Sequence, residues 1–147
     1  MHTNSRTRLL IALAPWALTI LATVGCGPFG PATFPVSGKL DLQGGSSEVL
    51  AGSVIEASLV SDPLVRASGE VQPDGTFALE TLHDGAIRSG AFEGTYIVRL
   101  TPPDDDAESR KRAAAAIHSK YLQFNQSGLT IEVAATDNFV TLPVTRR

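Results

Sequence analysis

The segment Val65-Arg66-Ala67-Ser68-Gly69-Glu70-Val71-Gln72-Pro73-Asp74-Gly75-Thr76-Phe77-Ala78-Leu79 carries two alternating runs around one turn. Val65, Ala67, Gly69 and Val71 oppose Arg66, Ser68, Glu70 and Gln72, the period of two that a half-buried strand requires. Pro73-Asp74-Gly75 then supplies a fixed φ, an Asx bond and a residue at ease with positive φ. Phe77 and Leu79 resume on one face, with Thr76, Ala78 and Glu80 on the other. The pattern predicts a β-hairpin.

The same period runs through the rest of the chain from Val36 onward. Val36, Gly38, Leu40 and Leu42 alternate with Ser37, Lys39 and Asp41, and Ile55, Ala57 and Leu59 alternate with Glu56 and Ser58. Tyr96, Val98 and Leu100 alternate with Thr95, Ile97 and Arg99 before Thr101-Pro102-Pro103 ends that run. Leu129, Ile131 and Val133 form another, and Val140, Leu142 and Val144 the last, which Pro143 marks as an edge. About seven short strands parted by Gly, Pro, Asp and Asn predict an all-β fold, an antiparallel two-sheet sandwich. One segment departs from the period. Asp104 to Asp106 and Glu108 precede Arg110-Lys111-Arg112 and four alanines, a charge order suited to the helix dipole. It predicts one short helix from about Ala107 to Ile117, covering an end or edge with Ile117 and Tyr121 turned inward.

Residues 1–25 have the order of an export signal: Arg6 and Arg8, an uncharged run from Leu9 to Val24 interrupted by Pro15, then Gly25. The run is shorter than the ~20 apolar residues of a membrane-spanning helix. Leu21-Ala22-Thr23-Val24-Gly25-Cys26 resembles the bacterial lipobox, with Thr23 where leucine is usual, and the resemblance implies that Cys26, the single cysteine, is acylated. Diglyceride and amide-linked chains bury dozens of CH₂ groups at ~0.8 kcal/mol each, enough for stable anchoring. An ordinary secreted chain with a free thiol and an uncleaved anchor are the alternatives. Residues 26–35 then read as the lipidated N-terminus and a Pro/Gly spacer, and residues 36–147 as the domain. The expected place is the extracytoplasmic face of a cell or outer membrane, with the bilayer as partner through Cys26.

The charge balance excludes a class of partner. The formal net charge is −3. Arg6 and Arg8 leave with residues 1–25 and no acid does, so 10 Lys and Arg then face 15 Asp and Glu, a net −5. No basic field exists to draw in nucleic acid. An acidic body is not attracted to an anionic bilayer either, so a tether would have to hold it there. A lone cysteine also means that the exported domain must be stable without an intramolecular disulfide.

The order Ser37-Gly38-Lys39-Leu40, Ala51-Gly52-Ser53-Val54, Asp74-Gly75-Thr76-Phe77 and Gly94-Thr95-Tyr96-Ile97-Val98 resembles the carboxypeptidase regulatory-like domain family. Ile117 to Tyr121 and Ser127 to Thr130 are similar to a subgroup of short bacterial lipoproteins built on that domain. The resemblance covers residues 36–144 and implies a transthyretin-like or prealbumin-like sandwich. The chain departs from that family in the longer connection Gly44-Gly45-Ser46-Ser47-Glu48. Read physically, the shared motifs are turn and core motifs: Phe77 plugs the core, Gly94 admits the backbone to its strand, and Tyr96 buries its ring with the hydroxyl near a rim.

The inventory for chemistry is thin, and no catalytic residue, cofactor or metal is expected. His83 and His118 stand 35 positions apart with no H-E-x-x-H or C-x-x-C, so a metal site at His83 and Asp84 is disfavoured. No G-x-S-x-G elbow is present. Transthyretin-like hydrolases of 5-hydroxyisourate end in Tyr-Arg-Gly-Ser, whereas this chain ends Val144-Thr145-Arg146-Arg147. Asp104 to Asp106 lack the spacing and glycine of a calcium loop, and Gly44-Gly45 lacks the rest of a phosphate loop. The expected function is therefore a membrane-anchored lipoprotein with a non-catalytic sandwich in a structural or scaffold role. The alternative is a glycan- or peptide-binding module acting through loops near Gly44–Glu48 and His83–Gly90.

Overall fold

The computed structural model describes residues 30–147 and shows an all-β sandwich with one short helix. The strands are β1 (Thr33–Phe34), β2 (Val36–Gln43), β3 (Val54–Leu59), β4 (Arg66–Glu70), β5 (Thr76–Ala78), β6 (Glu80–His83), β7 (Ala86–Ser89), β8 (Ala91–Phe92), β9 (Gly94–Thr101), β10 (Leu129–Val133) and β11 (Asn138–Thr145). Six of them form one sheet in the order β10-β9-β3-β4-β6-β7, three form the facing sheet β11-β2-β5, and β1 pairs with β8. Alternation does the work expected of it: along β2 every second residue is buried, and Leu40, Ile55, Val98, Ile131 and Val144 meet between the sheets.

All seven expected strands are present, with two corrections to their pairing. The first concerns direction. Every pair is antiparallel except β11 with β2, which run parallel from Asn138 opposite Val36 to Thr145 opposite Gln43. A parallel pair needs a long crossover, and nearly the whole domain lies between these two strands. β11 is the sheet's edge, where Pro143 leaves no ladder donor missing.

The second correction is the hairpin. The Pro73-Asp74-Gly75 turn forms as expected: Gly75 N donates to Gln72 O at 2.8 Å, Thr76 N to Asp74 Oδ1 at 2.9 Å, and Gln72 N to Thr76 O at 2.8 Å. Its two strands then part, β4 pairing with β3 and β6 while β5 pairs with β2. Ala67, Val71, Phe77 and Leu79 all face the interior, so the two strands become opposite walls of the core. They cross closely at Gly69, where a Cβ would stand 2.1 Å from the Ala78 carbonyl oxygen. At Leu79 the chain changes sheets, with Leu79 N donating to Val36 O at 2.9 Å and Leu79 O accepting from Gly90 N at 2.7 Å. The tight hairpin comes next: Asp84 and Gly85, at φ 50° and 75°, join His83 to its partner Ala86, the positive-φ pair that a two-residue turn needs.

The helix is α1 (Ala107–Ala116), capped by Asp106, whose Oδ1 accepts from Ser109 N at 2.8 Å. Ile117 and Tyr121 are buried as expected. A one-turn helix, α2 (Phe124–Ser127), and 3-10 turns at Ser47–Leu50 and Ser119–Leu122 complete the fold. Tyr96 departs from its expected place at a rim: it is fully buried, and its hydroxyl donates to Phe92 O at 3.1 Å inside the core. The body also begins before residue 36, because Thr33 and Phe34 pair with Phe92 and Ala91 and Phe34 packs on the core.

The registers define two ends. At one lie the β3–β4 connection, the Asp84–Gly85 turn, the start of β9 and the entering chain at residues 30–34. At the other lie residues 44–53, the turn at Gly75 and α1, where Ser47 Oγ donates to Leu40 O at 2.8 Å and Leu40 N donates to Gly75 O at 2.8 Å.

Candidate functional site

Cys26, the expected lipidation residue, lies with residues 1–25 outside the described residues. The two loops that sequence offered as a joint grip are separated: Gly44–Glu48 belongs to the α1 end and His83–Gly90 to the entering-chain end. They cannot close on one small ligand.

The histidines are also apart and locally engaged. His83 Nε2 lies 3.2 Å from Asp84 Oδ2, and its ring meets the Phe92 ring edge-on at 5.0 Å. His118 Nδ1 accepts from Lys120 N at 3.2 Å, capping a 3-10 turn. Among the described residues no three His, Cys, Asp or Glu side chains gather where a metal ion could be held. The acidic run is used within its own segment: Asp106 caps α1, and Asp104 accepts from Arg110. Ser109 and its N–H bond hold the exposed Asp106 carboxyl below the ordinary carboxylate range.

Sequence reasoning passed over a charged cluster on the outer face of the six-stranded sheet. Glu56 on β3 accepts from Arg99 Nη2 at 3.1 and 2.9 Å and from Thr101 Oγ1 at 2.5 Å, both on the neighbouring β9. Arg66 on β4 lies 3.9 Å away, and both guanidinium groups stand over the Phe124 ring of α2, Arg99 at 4.8 Å and Arg66 at 5.4 Å. Partial burial pushes the Glu56 carboxyl up. The hydrogen bonds from Thr101 and Arg99 and the charges of Arg99 and Arg66 outweigh it, so the pKa lies below the usual value. One carboxylate lies against two guanidinium groups under an aromatic ring, and the group works as a clasp across β4, β3 and β9.

The clasp makes a pH prediction. A carboxyl whose pKa is depressed on folding adds stability above its unfolded value, near 4.5, and loses it as pH falls through the lower folded value. Glu56→Gln is therefore expected to cost about 2 kcal/mol at neutral pH, since it leaves two arginines without their counter-charge. The cost should shrink on acidification, as urea melts of both proteins from pH 7 to pH 3 would show. A gap between them that stays constant over that range would contradict the assignment.

One concavity is a crease of about 470 Å³ where the two sheets part. Phe139, Ser37 and Ala78 line it from the smaller sheet, Glu70, Gln72 and Glu80 from the larger. Gly38 and Gly69 line it too, and both sites are closely packed, a Cβ on Gly38 meeting the Val140 carbonyl oxygen at 2.4 Å and the Phe77 ring at 2.6 Å. Phe139 is 74% exposed. Its signal was present in the sequence, because it stands out of phase with Val140, Leu142 and Val144, an aromatic on the outward side of an edge strand.

No helix among the described residues is long and apolar enough to cross a membrane. No family model matches the chain. No curated protein matches it either. Among solved structures, it is similar to the crystal structure of a DUF3823 family protein from Parabacteroides merdae ATCC 43184, at 19% identity and a TM-score of 0.42. The likeness covers 80% of this chain and 48% of that one, so the chain spans about half the length of that protein.

Proposed function

We propose that the protein is a lipid-anchored extracytoplasmic bacterial lipoprotein whose sandwich has a structural or scaffold role rather than a catalytic one. The observation that carries this reading is the leader Leu9–Val24 ending at Gly25-Cys26, followed only four positions later by Gly30, the first described residue of the body. The surroundings of His83, His118, Glu56 and Asp106 support the non-catalytic half, since these groups are spent on a cap, a turn or an ion pair. Metabolic labelling with a palmitate analogue is expected to mark the wild-type chain and to leave Cys26→Ser unmarked and released from membranes. Equal labelling of the two would refute the anchor.

The crease favours a second reading, a glycan-binding module. An exposed phenyl face beside Glu70, Gln72 and Glu80 offers a stacking platform with hydrogen-bonding groups at its margin. A glycan panel is expected to raise the melting temperature of the wild-type domain, and Phe139→Ala to abolish the rise while leaving the unliganded melting point within about 1 °C, as for an exposed side chain. A flat response across the panel would remove this reading.

A further inference from the structure

Of the six large apolar side chains exposed among the described residues, four gather at the end where the chain enters. Val60 and Leu64 stand on the β3–β4 connection, at 55% and 93% exposure, and Leu82 and Ile87 face each other across the β6–β7 hairpin at 68% and 72%. The register carries the group across adjacent strands, because β4 begins at Arg66, two residues after Leu64, and pairs with β6. Leu82 and Ile87 lie on the outer face of the sheet, opposite in phase to buried Thr81. Nothing in the core needs them there. A water-facing cross-strand Leu–Ile pair is the kind of feature that natural sheets avoid at an edge strand.

The entering chain fixes what these residues face. Gly30 packs against the Arg88 guanidinium, so closely that a Cβ on it would stand 2.9 Å from Nη2, and Arg88 Nη1 donates to Pro31 O at 3.1 Å. Arg88 directly follows Ile87. Cys26 is four residue steps before Gly30, a reach of at most about 14 Å even when fully extended. A lipid on Cys26 therefore holds the bilayer surface within that distance of the hairpin, whatever path the four residues take.

We infer that this end of the sandwich, through Leu64, Leu82 and Ile87 with Val60 beside them, rests on the lipid surface itself and fixes the orientation of the anchored body. The inference rests on the lipoprotein reading. The contact is apolar in kind: Asp62, Asp84 and Glu93 share this end with Arg66 and Arg88, so no net positive field draws it to anionic headgroups, and salt should not release it. The opposite end, with α1 and the connection Gly44–Glu48, is then presented away from the membrane.

The test uses the full chain purified from membranes, reconstituted in phosphatidylcholine vesicles, and labelled with an environment-sensitive fluorophore at Ile87→Cys or, at the far end, Val49→Cys. A nitroxide carried on lipid tails is expected to quench the label at position 87 about threefold more than the label at 49, as for a side chain seated at the acyl boundary. Adding Leu64→Ser and Leu82→Ser should at least halve that difference while the intact mass still shows the acyl chains. A lipidated chain whose two labels are quenched equally overturns this inference and leaves the anchor standing. A label at 87 that shifts to the blue without nitroxide quenching assigns the face to a second copy or another protein, and also overturns it. A chain whose mass lacks acyl groups overturns both readings together.

Discussion

Replacing Gly90 by alanine is expected to lower the melting temperature of the sandwich by about 10 °C, a loss near 3 kcal/mol. Two independent faults coincide there. The backbone sits at φ 86°, in the left-handed region that side chains resist, and an added Cβ would meet the Phe34 carbonyl oxygen at 2.0 Å and its carbon at 2.5 Å. Those atoms are backbone, so no rotamer change relieves the overlap. Relief requires that β1 lift from β8 or that the Gly90 N–H leave Leu79 O. Gly85→Ala is the control. It shares the positive φ, at 75°, but has nothing within 4 Å of the added carbon, and its cost should be only the ~1–2 kcal/mol of left-handed strain. Thermal melts of the two variants, with amide exchange at Phe34 and Ala91, separate the terms. Equal losses in the two would show that the close approach of β1 contributes nothing.

The Gly90 result also bears on the proposed membrane contact, because β1 is the link between Cys26 and the body. A lifted β1 adds slack to a short tether. The label at position 87 would then be quenched less in Gly90→Ala than in the wild type, although the leader and Cys26 are untouched.

How much of this could be read from the sequence divides along one physical line. Period-two alternation located seven of the eleven strands, and the Asp-capped alanine segment located α1, because both are set by residues near one another in the chain. Pairing was less legible. Pro73-Asp74-Gly75 and Asp84-Gly85 look alike as turns, yet only the second closes a ladder; the first joins strands on opposite walls, a choice made by where Ala67, Val71, Phe77 and Leu79 find apolar partners. The parallel match of β11 to β2 likewise depends on contacts between distant residues. The short strands β1, β6, β7 and β8 carry no alternation long enough to register. Among the surface features, Glu56 and Arg99 look like ordinary outward polar residues until register sets them opposite each other. Phe139 was visible as an apolar residue out of phase with its strand, whereas Leu82 and Ile87 belong to β6 and β7, which no alternation had marked.

Tyr96→Ala is expected to be the most damaging single side-chain change, near 4 kcal/mol, and to leave too little stability for a cooperative melt at 37 °C. Its ring is wholly enclosed, and β9, on which it sits, pairs with both β3 and β10, so the void would open in the core beneath three strands of the larger sheet. Tyr96→Phe keeps the ring and removes only the hydroxyl bond to Phe92 O, at a cost near 1 kcal/mol. The pair is distinguished further at alkaline pH. Burial pushes the Tyr96 phenol above 10.0, more than the bond to Phe92 lowers it. A raised folded pKa means that its stability is complete below pH 10 and is lost as pH climbs through the folded value, while the unfolded chain ionises first. The other tyrosine, Tyr121, is partly buried, but the Thr145 hydroxyl and N–H and the charge of Lys120 outweigh that burial and bring its phenol below 10.0. The chain has only these two tyrosines, so phenolate absorbance should rise in two steps, and Tyr96→Phe should erase the later one together with the alkaline loss of stability. A single merged step in the wild type, unchanged in that variant, would mean that Tyr96 is open to water and that its enclosure under β9 is wrong.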